Sequence, residues 1–168
     1  DLDVFSHAAA PRGKPEFGFE STLIDGRQAL VTEEIVDRKP FGQLKRFARE
    51  GADPADPKLL IVAPMSGHYA TLLRGTVERM LPSHDVYVTD WRDAKLAPMS
   101  AGSFDLDDYI DYVIDWLDAI TPAGSPRAHV LAVCQPSVPV YAAVALMSAS
   151  KHPALPATLT MMGGPIDT

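Results

Sequence analysis

From residue 59 onward, short apolar runs alternate with longer segments in which apolar residues recur every three or four positions. Leu59-Leu60-Ile61-Val62-Ala63 is apolar throughout, the pattern of a strand buried on both faces. Ala70 to Leu81 reads as a helix, Asp85 to Trp91 as a strand and Asp105 to Ile120 as a long helix. A strand at His129 to Val133, a helix from Val138 to Ser150 and a strand at Thr158 to Met162 complete the series. Strands alternating with helices of this length imply βαβ units and a mostly parallel sheet flanked by helices, an α/β fold.

Before residue 59 the pattern is less regular. Residues 27–37 (RQALVTEEIVD) fit one strand or two short ones. Phe41, Leu44, Phe47 and Ala48 share one face at helical spacing, which predicts a helix there. Residues 51–57 are a loop by their Gly, Asp and Pro content. Residues 1–20 mix Pro, Gly, Ala and charge without periodicity and read as an extended or poorly ordered arm, leaving 21–168 as the folded domain.

Asp108, Asp111, Asp115 and Asp118 form one stripe of the 105–120 helix, opposite Leu106, Ile110, Val113, Leu117 and Ile120. That is the solvated face of an amphipathic helix, and Asp105, Asp107 and Asp108 favour its N-terminus. A calcium loop of the EF-hand type needs a central Gly and a terminal Glu at fixed positions. Neither is present, and no metal is expected. Gly163-Gly164-Pro165 lacks the Lys and the spacing of a phosphate loop.

The 168 residues suffice for one domain with a real core. A net charge of −7 makes a nucleic-acid backbone an unsuitable partner. One cysteine can form neither an internal disulfide nor a cysteine-rich metal site. No apolar run reaches the roughly 18 residues of a membrane-spanning helix. Beginning at Asp1 and stopping just after an apolar run, the chain reads as a section of a longer sequence.

The single cysteine stands where a strand pattern gives way to a helical one, in Ala132-Val133-Cys134-Gln135-Pro136-Ser137. An α/β-hydrolase holds its nucleophile at such a point, on a sharp strand-turn-helix elbow of the form G-x-S-x-G. Ala132 is small, as the elbow needs. Pro136 departs from the pattern but suits the first turn of a helix, where its missing N–H costs nothing. The alternative is an inert cysteine packed as a small hydrophobe.

A second segment, Ala63-Pro64-Met65-Ser66-Gly67-His68-Tyr69, follows the strand two before the elbow strand. In α/β-hydrolases this loop supplies one N–H to the oxyanion hole, and the residue after the nucleophile supplies the other. The donors here would be the amide of Gln135 and that of Met65 or Ser66; the alternative is a plain turn tightened by Gly67. His68 would line the pocket, as its mouth, as a helix cap or as the base. His129 lies five residues before Cys134, about 16 Å along a strand and too far to act. His7, His84 and His152 read as surface residues. Asp167 reads as a loop aspartate, and Asp90 or Asp93 as a partner of Arg92 that holds the turn.

With APMSGHY (residues 63–69), TDWRDA (89–94) and VCQPSVP (133–139) in place, the chain from about residue 17 onward resembles the intracellular polyhydroxyalkanoate (poly-3-hydroxybutyrate) depolymerases. The resemblance implies an α/β-hydrolase domain, cut before its last strands. It implies a Cys-His-Asp triad with Cys134 as nucleophile, and Gln135 as an oxyanion donor. It implies hydrolysis of amorphous storage polyester at cytoplasmic granules, with no cofactor. The polymer or granule surface is the implied partner, and the oligomeric state is left open. The triad's histidine and acid would follow strands later than the last one here, so these 168 residues alone are expected to turn over little. Two rival readings are a polyester synthase-like acyltransferase using the same cysteine and a non-catalytic granule-binding module.

Overall fold

The strand at Lys58–Val62 carries apolar side chains on both faces because it lies inside the sheet with cover on each side. The computed structural model describes residues 14–65, 69–93, 97 and 99–167. Strands β1 (Ser21–Ile24), β2 (Arg27–Lys39), β3 (Gly42–Arg49), β4 (Lys58–Val62), β5 (Asp85–Trp91), β6 (His129–Val133) and β7 (Thr158–Met162) form one sheet in the order β1-β2-β3-β5-β4-β6-β7. Pairings from β1 through β2 and β3 to β5 are antiparallel. Those of β5 with β4, β4 with β6 and β6 with β7 are parallel. The fold is α/β with a mixed sheet.

Helix α1 (Arg74–Met80), preceded by a 3-10 turn at Ala70–Leu73, packs on one face of the sheet. Val77 meets Leu59, Ile61, Phe47, Val86 and Val88 there. Helices α2 (Leu106–Ile120) and α3 (Ser137–Ala149) cover the other face, where Val113, Trp116, Leu117 and Val140 meet Leu60, Val62 and Leu44. Asp105 caps α2 by accepting from the Asp108 amide at 3.0 Å, while the Asp108 carboxylate accepts from the Asp105 amide at 2.9 Å. This reciprocal box satisfies two donors that a helix start otherwise leaves free. At the other end the Lys58 ammonium donates to the Ile120 carbonyl at 2.7 Å. The acidic stripe Asp111, Asp115 and Asp118 is exposed; Leu106, expected on the apolar face, is exposed too, and Tyr109 and Trp116 extend that face instead.

Residues 41–48 do not form the expected helix; they enter β3. Leu44 and Phe47 are both fully buried, but in the two different cores, one on each face of the sheet. Positions three apart in a strand point to opposite faces, so two-sided cover reproduces a helical spacing of apolar residues. Residues 27–37 form one strand, with a register shift between Ile35 and Asp37. The short β1, which closes a hairpin on β2, had no apolar signature. Residues 14–20 have no regular structure, yet Phe17 is buried edge-on against Phe47, with ring centroids 4.9 Å apart.

Both cores should respond to truncation. Leu44→Ala is expected to lower unfolding free energy by about 2–5 kcal/mol and Phe47→Ala by about 3–5 kcal/mol. Leu30→Ala, at a side chain left exposed on β2, should stay within about 0.5 kcal/mol of the parent. Urea denaturation followed by tryptophan fluorescence measures all three; a tolerated Leu44→Ala would contradict the strand assignment.

Candidate active site

The connections leaving β4 and β6 diverge. From β4 the chain passes through α1 to β5 on one side, and from β6 through α3 to β7 on the other. The two strands are neighbours, paired Leu59 to His129 through Val62 to Ala132. Loops that part in this way open a crevice at the carboxyl ends of the strands, where ligands of open α/β sheets bind. Met65 stands three residues past Val62 on one side of that crevice, and Cys134 and Gln135 stand two and three past Ala132 on the other. Ser66 and His68 lie outside the described residues.

Cys134 is exposed and has φ 68°, left-handed backbone that non-glycine side chains avoid. Such a residue costs about 1–2 kcal/mol and persists only where its surroundings enforce it. Here the Cys134 amide donates to the Met162 carbonyl of β7 at 2.7 Å, and the Cys134 carbonyl accepts from the Ser137 amide at 3.0 Å. Strand pairing thus holds one side of the residue and the first turn of α3 the other. Pro136 sits at the N-cap position of α3 with helical dihedrals, φ −55° and ψ −17°, so the departure from G-x-S-x-G does not break the helix start. A Cβ on Gly164 would overlap the Cβ and Oγ of the fully buried Ser137 and lie 3.0 Å from the Cys134 carbonyl oxygen. The loop after β7 packs directly on the elbow, and a contact across 27 residues of sequence carries no local signal.

The facing loop is held as firmly at its root. The Ala63 amide donates to Thr89 Oγ1 at 2.9 Å, and the Ala63 carbonyl accepts from Trp91 Nε1 at 2.8 Å. Both partners are buried side chains of β5. Trp91 is wedged among Tyr109, Trp116 and Phe104, with ring centroids 4.5, 5.3 and 5.9 Å away. Local sequence marks neither residue as part of the site, because each acts 26 to 28 positions away from itself.

The described histidines bond elsewhere. His84 Nδ1 pairs with Ser83 Oγ at 2.9 Å, and His129 Nδ1 with Thr158 Oγ1 at 2.7 Å, at the far end of β6. His152 Nδ1 accepts from the Ala154 amide at 3.2 Å. Asp167 is exposed. Asp90 is fully buried and does not hold the turn through Arg92: it pairs with Lys14 and with Lys45 at 3.3 Å, and accepts from Gln43 Nε2 at 2.8 Å. Its carboxylate is taken up by the β3 side chains Gln43 and Lys45.

Two substitutions probe these supports. Gly164→Ala should cost about 1–3 kcal/mol by overpacking and slow iodoacetamide alkylation of Cys134; adding Ser137→Gly, which removes the overlapping atoms, should restore much of both. Trp91→Phe keeps an aromatic side chain but removes the indole N–H and part of the packed ring, orphaning the buried Ala63 carbonyl, and should cost at least about 1–3 kcal/mol in urea denaturation.

No protein-family model and no curated protein matches the chain in sequence. Solved structures do match in shape. An alpha/beta hydrolase enzyme from the metagenome of Lake Arreo, Spain, superposes with a TM-score of 0.52 at 15% identity, over 99% of this chain and 50% of that one. Brefeldin A esterase, described as a bacterial homologue of human hormone sensitive lipase, gives a TM-score of 0.51 at 15% identity, over 94% of this chain and 44% of that one. The chain therefore spans half, or somewhat less, of the length of these structures. With the strand order and the left-handed residue after β6, these matches establish that the chain has an α/β-hydrolase fold.

Proposed function

We propose that the chain carries the nucleophile of a thiol esterase acting on poly(3-hydroxyalkanoate) storage polyester. One observation carries this reading: the only cysteine is exposed on a left-handed elbow at the crevice between β4 and β6. An inert structural cysteine needs neither strained backbone nor exposure, and is usually buried. The choice of polyester over other esters rests on the APMSGHY, TDWRDA and VCQPSVP segments and the family they resemble.

In the proposed reaction the Cys134 thiolate attacks an ester carbonyl of the polymer. The tetrahedral oxyanion is stabilised by the amide of Gln135 and that of Met65 or Ser66, across the crevice. Collapse breaks the carbon–oxygen bond, and the departing hydroxyl end of the polymer takes a proton. The hydroxyacyl thioester left on Cys134 is then hydrolysed by water to a hydroxy acid or short oligomer, regenerating the thiol. Proton transfer belongs to a histidine base held by an acid, which the family resemblance puts after strands later than β7. No cofactor takes part. Action at the surface of cytoplasmic polymer granules follows from the same reading.

Acylation can be tested apart from turnover. Incubating the chain with the p-nitrophenyl ester of 3-hydroxybutyrate should give one hydroxybutyryl adduct by intact mass, mapped to Cys134 and discharged by hydroxylamine. Cys134→Ala should give none. An adduct elsewhere, or none on the parent chain, would sink the proposal. Chain growth from hydroxyacyl-CoA, in place of acid release, would reassign the cysteine to acyl transfer.

A further inference from the structure

The Asp90–Asp93 turn plays no part in the chemistry above, yet it forms one wall of a cleft of about 350 Å³. That volume lies within the range of small-molecule sites. The cleft is rimmed by four cations, Lys14, Arg38, Lys39 and Arg92, against two acids, Asp90 and Asp93. In a chain of net charge −7 this local excess of positive charge runs against composition.

The acids and lysines are largely committed. Asp90, fully buried, is neutralised by Lys14 and Lys45 and accepts from Gln43. Lys39 donates to Asp115 at 2.7 Å and lies 3.9 Å from Asp37. Burial lowers the Lys39 pKa, but these carboxylates outweigh it and hold the ammonium above its ordinary value. The two guanidinium groups differ: the Arg92 amide donates to the Phe41 carbonyl at 2.9 Å and Arg38 is paired with Gln43 through the strand ladder, but among the described residues neither side chain has an ion-pair or hydrogen-bond partner. Both are exposed at the rim. Arginine presents a planar fork of donors that matches a carboxylate in two parallel bonds.

The cleft opens at the carboxyl end of β5, and Cys134 follows the carboxyl end of β6. These strands flank β4 on either side, so their ends are two strand spacings, about 10 Å, apart. Tyr69, next to the loop that faces the elbow, lines the cleft too, and Trp91 joins its wall to the Ala63 carbonyl at the root of that loop. A chain threaded from the elbow toward β5 would bring a free end to the two arginines.

We propose that this cleft binds the terminal carboxylate of a short hydroxyacyl oligomer through Arg38 and Arg92, while an ester further along the oligomer lies at Cys134. The identity of the oligomer rests on the esterase reading; the carboxylate site rests on the cleft itself. The consequence is a preference for acid ends over internal segments, so short oligomers with a free carboxylate would bind better than their capped forms.

The test uses Cys134→Ala, which binds without turning over, and calorimetric titration with the linear dimer of 3-hydroxybutyrate, its methyl ester and inorganic phosphate. The dimer acid is expected to bind about tenfold more tightly than the methyl ester, the scale of one charge-assisted contact. Arg38→Gln with Arg92→Gln should remove that advantage and leave binding of the ester unchanged. Equal binding of acid and ester, an acid advantage that survives the double variant, or no binding of the acid would overturn the site. Phosphate binding more tightly than the dimer, with the same arginine dependence, would overturn the carboxylate assignment in favour of a phosphate site. Circular dichroism of the double variant separates a lost site from a lost fold. Because binding is read without hydrolysis, a failed acylation experiment would leave the carboxylate site standing, and a failed titration would leave Cys134 as the nucleophile.

Discussion

The pairing of β4 with both β5 and β6 is the constraint on which the rest depends. It places β4 at the centre of the parallel region, which is why all of its apolar side chains are buried. It also makes the connections after β4 and β6 leave in opposite directions, and that divergence creates the crevice. A sheet in which β4, β5 and β6 followed one another in order would have the same strands and helices but no gap between the loops after β4 and β6. Position in the sheet, rather than any one residue, therefore decides where the two connections part.

Within that frame the elbow is a strained residue held by longer-range contacts. Cys134 could relax if the Met162 carbonyl, the Ser137 amide or the close approach of Gly164 were lost. Each of these belongs to α3 or to the β7 segment, so the backbone of Cys134 is held by structure that follows it in the chain. The opposite wall follows the same logic, because Thr89 and Trp91 on β5 grip Ala63 at the end of β4. Two neighbouring strands, β5 and β7, thus fasten the roots of the two connections from outside. The cationic cleft beyond Trp91 extends the same edge of the sheet and would give a bound chain a direction.

Much of this was legible locally. The runs at 59–63, 85–91, 129–133 and 158–162 and the helix opened by Asp105 and Asp108 are set by apolar periodicity and capping chemistry, which act over a few residues. The strand-to-helix change around Cys134 was readable for the same reason. At residues 41–48 the pattern is set by tertiary structure: Leu44 and Phe47 sit three apart because two cores need filling, not because a helix needs a stripe. Periodicity reports how many faces are buried and cannot distinguish a two-sided strand from one side of a helix.

The sequence by itself determined the alternation of strands and helices, the elbow position of a single cysteine, and the acidic outer face of α2. It could do so because backbone preference, side-chain burial and helix capping are satisfied by near neighbours. Tertiary structure alone decided that β4 lies between β5 and β6, that Gly164 presses on Ser137, that Asp90 turns to Lys14, Lys45 and Gln43 instead of Arg92, and that Arg38 and Arg92 share a cleft. Those choices join residues tens of positions apart. Only the order and register of the strands bring such residues together.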